Sequence, residues 1–204
     1  MAEINASMVK ELREKTGAGM MDCKGALSES NGDFEKAIEL LRMKGLKNVN
    51  KRAGKIAAEG QIYSYIHAGS KVGVMIELNA ETDFVAKGED FTELCKRIGM
   101  HIAWANPKYL CREDVPVSVI ESEAGIYRSQ LTPQQEKVAE KIIAGKIDKF
   151  YSEVCLLEQE DSRDPSAKKK IMDLINDLSA KVGEKIVLRR FIRFEVGEGI
   201  EKPT

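Results

Sequence analysis

The chain has 204 residues, enough for one or two small domains with a sizeable core. Charged residues make up 32% of it and hydrophobic residues 43%, the balance of an ordinary globular protein on the charged side. A formal net charge of -1 argues against a strong electrostatic nucleic-acid binder, which is distinctly basic. No apolar run approaches the ~18 residues of a membrane span, and residues 1 to 30 lack the apolar core of a signal peptide. The chain is therefore expected to stay where it is made, in the cytoplasm. Cys23, Cys95, Cys111 and Cys155 are scattered and include no Cys-x-x-Cys pair, and His67 and His101 are the only histidines. Zinc needs clustered ligands, so the pattern predicts free thiols, no metal and no cofactor.

Residues 5 to 45 carry three short helical patterns with tight breaks. Asn5 or Ser7 can cap the first, whose Met8, Val9 and Leu12 share a face until Gly17. The second places Met20, Cys23 and Leu27 at spacings of three and four and ends at Asn31-Gly32. The third opens at Asp33, carries Phe34, Ala37, Ile38 and Leu41, and is expected to end by Gly45. Consecutive helical residues point about 100° apart, so Met20 and Met21 cannot both face so small a core. The spacing assigns Met20 to the core and leaves Met21 exposed.

Residues 46–59 read as a basic linker with Lys47, Lys51, Arg52 and Lys55. A core region is expected over 60–204. It begins with a hairpin over 60–79, in which Ile62, Tyr63, Tyr65 and Ile66 pair with Val72 to Leu78 across Ala68-Gly69-Ser70. Alternation stops at Asn79, so Asp83-Phe84 is placed on a turn before the next helix. A phenylalanine on a turn has either folded back into its own core or been offered to something else.

Helices are expected over 88–182. Phe91, Leu94, Cys95, Ile98, Ile102 and Ala105 mark one amphipathic helix closed by Asn106-Pro107. His101, beside Ile102, is either a packing residue or a partner contact. Residues 117 to 151 hold two or three more helices, one opening at Thr132-Pro133. Lys168-Lys169-Lys170 reads as a solvated helix start. Ile171, Leu174, Ile175, Leu178 and Val182 form the last helix, ended by Gly183, and a closing strand is expected over 186–196. Hairpin and closing strand lie far apart in sequence, so the fold class is α+β: three helices, then a small antiparallel sheet covered by helices.

Parts for an enzyme are missing. Thr16-Gly17-Ala18-Gly19 lacks the lysine and the preceding strand of a phosphate-cradling loop, and reads as a turn between helices.

Three segments carry a family resemblance. Thr82-Asp83-Phe84-Val85-Ala86 behind an acidic-ended strand resembles the signature of the elongation factor Ts family. Thr16-Gly17-Ala18-Gly19-Met20-Met21-Asp22-Cys23-Lys24 is similar to its amino-terminal signature, and Arg189 to Glu201 to its tail. The family usually has cysteine before Glu81, where this chain has Ala80; no charge or aromatic is lost by that departure.

The resemblance implies a guanine-nucleotide exchange factor in translation that binds elongation factor Tu, both GDP-bound and nucleotide-free, and makes no covalent change. It implies a three-helix domain of the ubiquitin-associated type over 1–45, docking through Leu12 and Met20 or Met21. It also implies that the turn of Thr82, Asp83, Phe84 and Val85 inserts into the partner's nucleotide-binding domain and dislodges its magnesium. Longer members carry two related core modules, whereas this chain has room for one. It resembles a short form that pairs two copies as a homodimer, with an exposed edge strand over Ile186 to Val196. An alternative is an adaptor that binds ubiquitin-like or other helical partners through the three helices.

Overall fold

The computed structural model describes residues 4–52 and 54–200. Three helices come first: α1 (Ala6–Thr16), α2 (Met20–Glu29) and α3 (Phe34–Lys51). Asn5 caps α1 by accepting a hydrogen bond from the Met8 amide at 2.9 Å, and Gly17, at φ 67°, ends it in the left-handed region open to glycine. Val9, Leu12, Cys23, Ala26, Leu27 and Ala37 form their shared core. Full burial of a leucine such as Leu12 or Leu27 contributes about 1.5–3 kcal/mol.

The third helix departs from expectation. It runs through Gly45 to Lys51, into the stretch read from sequence as a linker. Gly45 is not a helix stop because its use is steric. A β-carbon there would lie 3.1 Å from that of Ala180, so the residue lets α3 pass close to helix α8 (Ile171–Val182).

Strands β1 (Glu59–Ile66), β2 (Val72–Ala80) and β3 (Val187–Glu195) form one sheet in the order β1-β2-β3. The β1–β2 hairpin closes through His67 N–H to Val72 O, with Gly69 and Ser70 at positive φ. The third strand runs antiparallel to β2: Val196 N–H reaches Lys71 O at one end, and Arg189 pairs with Glu77 further along. Val74, Ile76 and Leu78 are buried on one face. On the opposite face Ile62, Ile66, Met75, Ile192 and Phe194 are all exposed.

The remaining helices are α4 (Asp83–Ala86), α5 (Glu89–Ala105), α6 (Val117–Ser129), α7 (Ala139–Val154) and α8. The helical face read from sequence in α5 is the buried one, with Phe91, Leu94, Cys95, Ile98 and Ile102 inside. Gly99 lets α5 cross β1 closely, since a β-carbon there would sit 3.1 Å from that of Tyr65. Thr132-Pro133 does not open a helix. It forms a turn in which Gln135 N–H bonds to Thr132 O at 2.9 Å, and α7 starts only at Ala139. Proline removes one amide and fixes one φ; that suits a turn as well as a first helical position.

The chain gathers into two compact units. One takes the chain up to Gln61 together with Glu77–Leu94 and Asp173–Arg189; the other takes Ile62–Ile76, Cys95–Met172 and the chain from Arg190 onward. All three strands contribute residues to both. Among the described residues no helix is long and apolar enough to cross a membrane.

Candidate partner-docking site at Phe84

At the end of β2 the chain turns sharply into the four-residue helix α4. Thr82 is its cap: the backbone is extended (φ -127°, ψ 153°) and Oγ1 accepts from the Val85 amide at 3.4 Å. Asp83 follows at the first helical position. Its carboxylate lies 2.7 Å from Lys87 Nζ, one turn later on the same face. The hydrogen bond to Lys87 holds the Asp83 carboxyl below its ordinary range and raises the Lys87 ammonium correspondingly. Asp83 is therefore ionised at neutral pH and braced along its own turn.

Phe84 is 84% exposed. The two alternatives open at the sequence level are thus decided for this chain: the ring has not folded back into its own core. Nothing in the helix propensity of four residues would hold such a turn, because isolated helices this short are unstable in water. The turn is held from outside instead. Thr82 N–H donates to Glu184 Oε2 at 3.0 Å and Thr82 Oγ1 donates to Glu184 Oε1 at 2.7 Å. Glu81 Oε1 in turn accepts from Lys185 N–H at 2.8 Å. On the far side Gln61 Nε2 donates to Ala86 O at 2.7 Å, and Ala86 is buried beneath the turn. A large apolar ring is presented to solvent on a backbone anchored at both ends.

A family model described as elongation factor TS matches residues 2–168. The chain belongs to the elongation factor Ts family. A protein named elongation factor Ts from Desulforamulus reducens is 57% identical over 204 residues, covering 99% of this chain and 93% of its own length. One of the same name from Moorella thermoacetica is 57% identical over 199 residues, covering 97% of each. Another, from Caldanaerobacter subterraneus, is 56% identical over 201 residues, covering 98% of this chain and 100% of the relative. Elongation factor Ts proteins are translation elongation factors.

The other residues singled out in the sequence do not all reach the surface. Met21 is 78% exposed, as its helical position requires, but Met20 is 59% exposed where a core position was expected. It is the first residue of α2, one turn ahead of Cys23, and the small core closes on Cys23, Ala26 and Leu27 without it. Leu12, expected at a partner contact, is fully buried in that core because α1 turns the Val9–Leu12 face inward.

His101 is also buried, so a partner contact through its side chain is not available in this structure. Its Nε2 pairs with Gln159 Oε1 at 2.9 Å and its Nδ1 lies 3.2 Å from Ser162 Oγ. Burial pushes its pKa below the ordinary imidazole value, against a smaller opposite effect of Gln159 and Asp161. Burial likewise pushes the Cys95 thiol up to about 12, which keeps it protonated at neutral pH. Among the described residues no group of three histidine, cysteine or acidic side chains could hold a metal ion.

Sequence reasoning missed Glu184, Glu81 and Gln61. Glu184 lies 102 positions from Thr82, and no periodicity links the two segments. The acidic end of β2 was visible as a pattern, but its partner, the Lys185 amide, carries no sequence signal at all.

Proposed function

We propose that this chain is a guanine-nucleotide exchange factor that binds elongation factor Tu, in its GDP-bound and nucleotide-free forms, and speeds GDP release. The observation that carries the reading is the exposure of Phe84 on a turn anchored at both ends. A phenylalanine delivers large apolar area with few rotatable bonds, and its burial in a partner is worth about 1.5–3 kcal/mol. Inserted with Thr82, Asp83 and Val85 into the partner's nucleotide-binding domain, the ring displaces the groups that hold magnesium against the GDP phosphates. A thousandfold faster release needs a barrier lower by roughly 4 kcal/mol, which one wedge and one weakened ion site can supply. No covalent bond changes, so the factor is not an enzyme. Linkage requires that it weaken nucleotide binding by the factor by which nucleotide weakens its own binding.

The three helices α1 to α3, of the ubiquitin-associated type, act as a second docking point ahead of the core over 60–204, with α3 running into the basic segment 46–59. Met20 and Met21 supply adaptable apolar contacts there, and Leu12 supports them from beneath. The chain works in the cytoplasm as a homodimer. The exposed face of Ile62, Ile66, Met75, Ile192 and Phe194 supports that assembly, since monomers seldom leave so continuous an apolar face uncovered.

The test is release of fluorescent GDP from elongation factor Tu at two magnesium concentrations. Substoichiometric chain is expected to accelerate release over many turnovers. Absence of acceleration at any concentration would overturn the exchange reading and favour an adaptor acting through the three helices.

A further inference from the structure

Phe84 cannot hold its own place, because its ring touches mostly water. Its aim depends on the backbone of Thr82 to Gly88 and on whatever fixes that backbone. The structure shows a reciprocal clasp between two adjacent pairs of residues. The Glu184 carboxylate spends both oxygens on Thr82, one on its amide and one on its hydroxyl, while Glu81 takes the amide of Lys185. The Thr82 hydroxyl donates its proton to Glu184 and so keeps a lone pair free for the Val85 amide, the capping bond of α4. Had that hydroxyl faced a donor instead, its proton would compete with the cap.

Glu184 is itself fixed. Gly183, at φ 76°, ends α8 with its amide on Ser179 O at 3.0 Å. The buried Ser179 hydroxyl then reaches forward to the carbonyl of Glu184 at 2.5 Å. The carboxylate therefore projects from a helix end that α8 positions, rather than from a free loop. Each of these hydrogen bonds alone is modest at a partly exposed site, but together they tie the start of α4 on two consecutive residues.

We propose that Glu184 is a positioning residue for nucleotide exchange: through Thr82 it sets the start of α4 and thereby the direction in which Phe84 leaves the surface. This rests on the exchange reading given above. Glu184 touches neither nucleotide nor magnesium; it acts through the ring. Loss of the clasp lets the ring sample directions from which it cannot enter the partner. A misplacement of ~1 Å in an oriented reaction can slow it by about a hundredfold, so a partial loss of orientation is expected to slow maximal exchange by roughly tenfold.

Three variants, each checked by circular dichroism and thermal melting, test it in the fluorescent GDP release assay. Glu184→Gln keeps shape and volume but replaces one acceptor oxygen by a donor facing Thr82. It is expected to lower the maximal release rate about tenfold while changing the half-saturating concentration less than about threefold. Thr82→Ser, which keeps the hydroxyl that donates to Glu184, is expected to lose less of the maximal release rate than Glu184→Gln. The double variant Glu184→Gln with Phe84→Ala is expected to be no slower than Phe84→Ala alone, because a positioning residue has nothing left to position. Glu184→Gln with parental exchange, or with a loss that simply multiplies that of Phe84→Ala, overturns the proposal. A parent chain that does not accelerate release, or a Phe84→Ala variant as fast as the parent, overturns the exchange reading instead, so the two failures are distinguishable.

Discussion

Arg97 closes over the carboxylate of Asp161, whose side chain has no exposure to water. Arg97 Nε lies 2.8 Å from Asp161 Oδ2 and a second guanidinium nitrogen reaches the same oxygen, while the Arg163 amide meets Oδ1 at 3.3 Å. Planar donors matched to a carboxylate make the strong kind of ion pair, and an uncompensated buried charge is expensive. Arg97→Ala is expected to destabilise the chain by about 3 kcal/mol, read as a lowered denaturation midpoint in urea. A midpoint within error of the parent would show that water reaches Asp161.

Stability should also depend on pH through His101. Desolvation holds its pKa in the folded chain below 6.5, with Gln159, Ser162 and Asp161 facing the ring and Trp104 tilted beside it at 6.5 Å. Below pH 6.5 the unfolded chain takes up a proton that the folded chain refuses, so this contribution is complete above that pH. It falls as pH drops, down to the lowered folded value. Urea midpoints taken between pH 7.5 and 5 are expected to decline, and the decline to be shallower in His101→Gln.

Gly60 sits in β1 where a β-carbon would lie 2.3 Å from Leu78 O and 2.8 Å from the Asn79 α-carbon. Those are backbone atoms of β2 and cannot swing aside. Gly60→Ala is expected to cost about 2 kcal/mol or more and to lower soluble yield, measured by melting of whatever folds. Parental melting would mean that β1 shifts without penalty.

The exposed apolar residues should separate stability from binding. Phe84→Ala and Met21→Asp remove nothing from the core, so each is expected to change stability by less than about 0.5 kcal/mol. In calorimetric titration against elongation factor Tu, Met21→Asp is expected to weaken binding about tenfold, while Phe84→Ala removes most acceleration of GDP release and keeps part of the affinity. Equal loss of both properties in the two variants would contradict the division of roles.

Phe194→Asp places a charge on the open face of the sheet. Light scattering is expected to give a dimer for the parent at micromolar concentration and a monomer for the variant, with far-ultraviolet circular dichroism unchanged. A monomeric parent would remove the homodimer.

The elements with long, regular patterns were legible in the sequence. The face of α5, the face of α8 and the β1–β2 hairpin lie where their periodicity puts them, because burial imposes that periodicity directly. Residues whose role depends on a distant neighbour were not. Gly45 reads as a helix stop until Ala180 is found beside it. Met20 has the spacing of a core residue, yet three helices of this size close their core without it. Leu12 has the right face for that core, and the packing uses it there. At the candidate site the ring and its acidic neighbour could be read from the chain, whereas the groups that hold them could not, being joined only by folding.

The clasp between Thr82 and Glu184 also has a direction in time. The 102 positions that separate these residues are made in order, amino end first, so the whole Phe84 turn leaves the ribosome long before its brace exists. A nascent or prematurely ended chain lacking residue 184 carries the whole Phe84 turn without the carboxylate that ties Thr82. If Glu184 has the proposed positioning role, competence for exchange arrives only once residue 184 has been made.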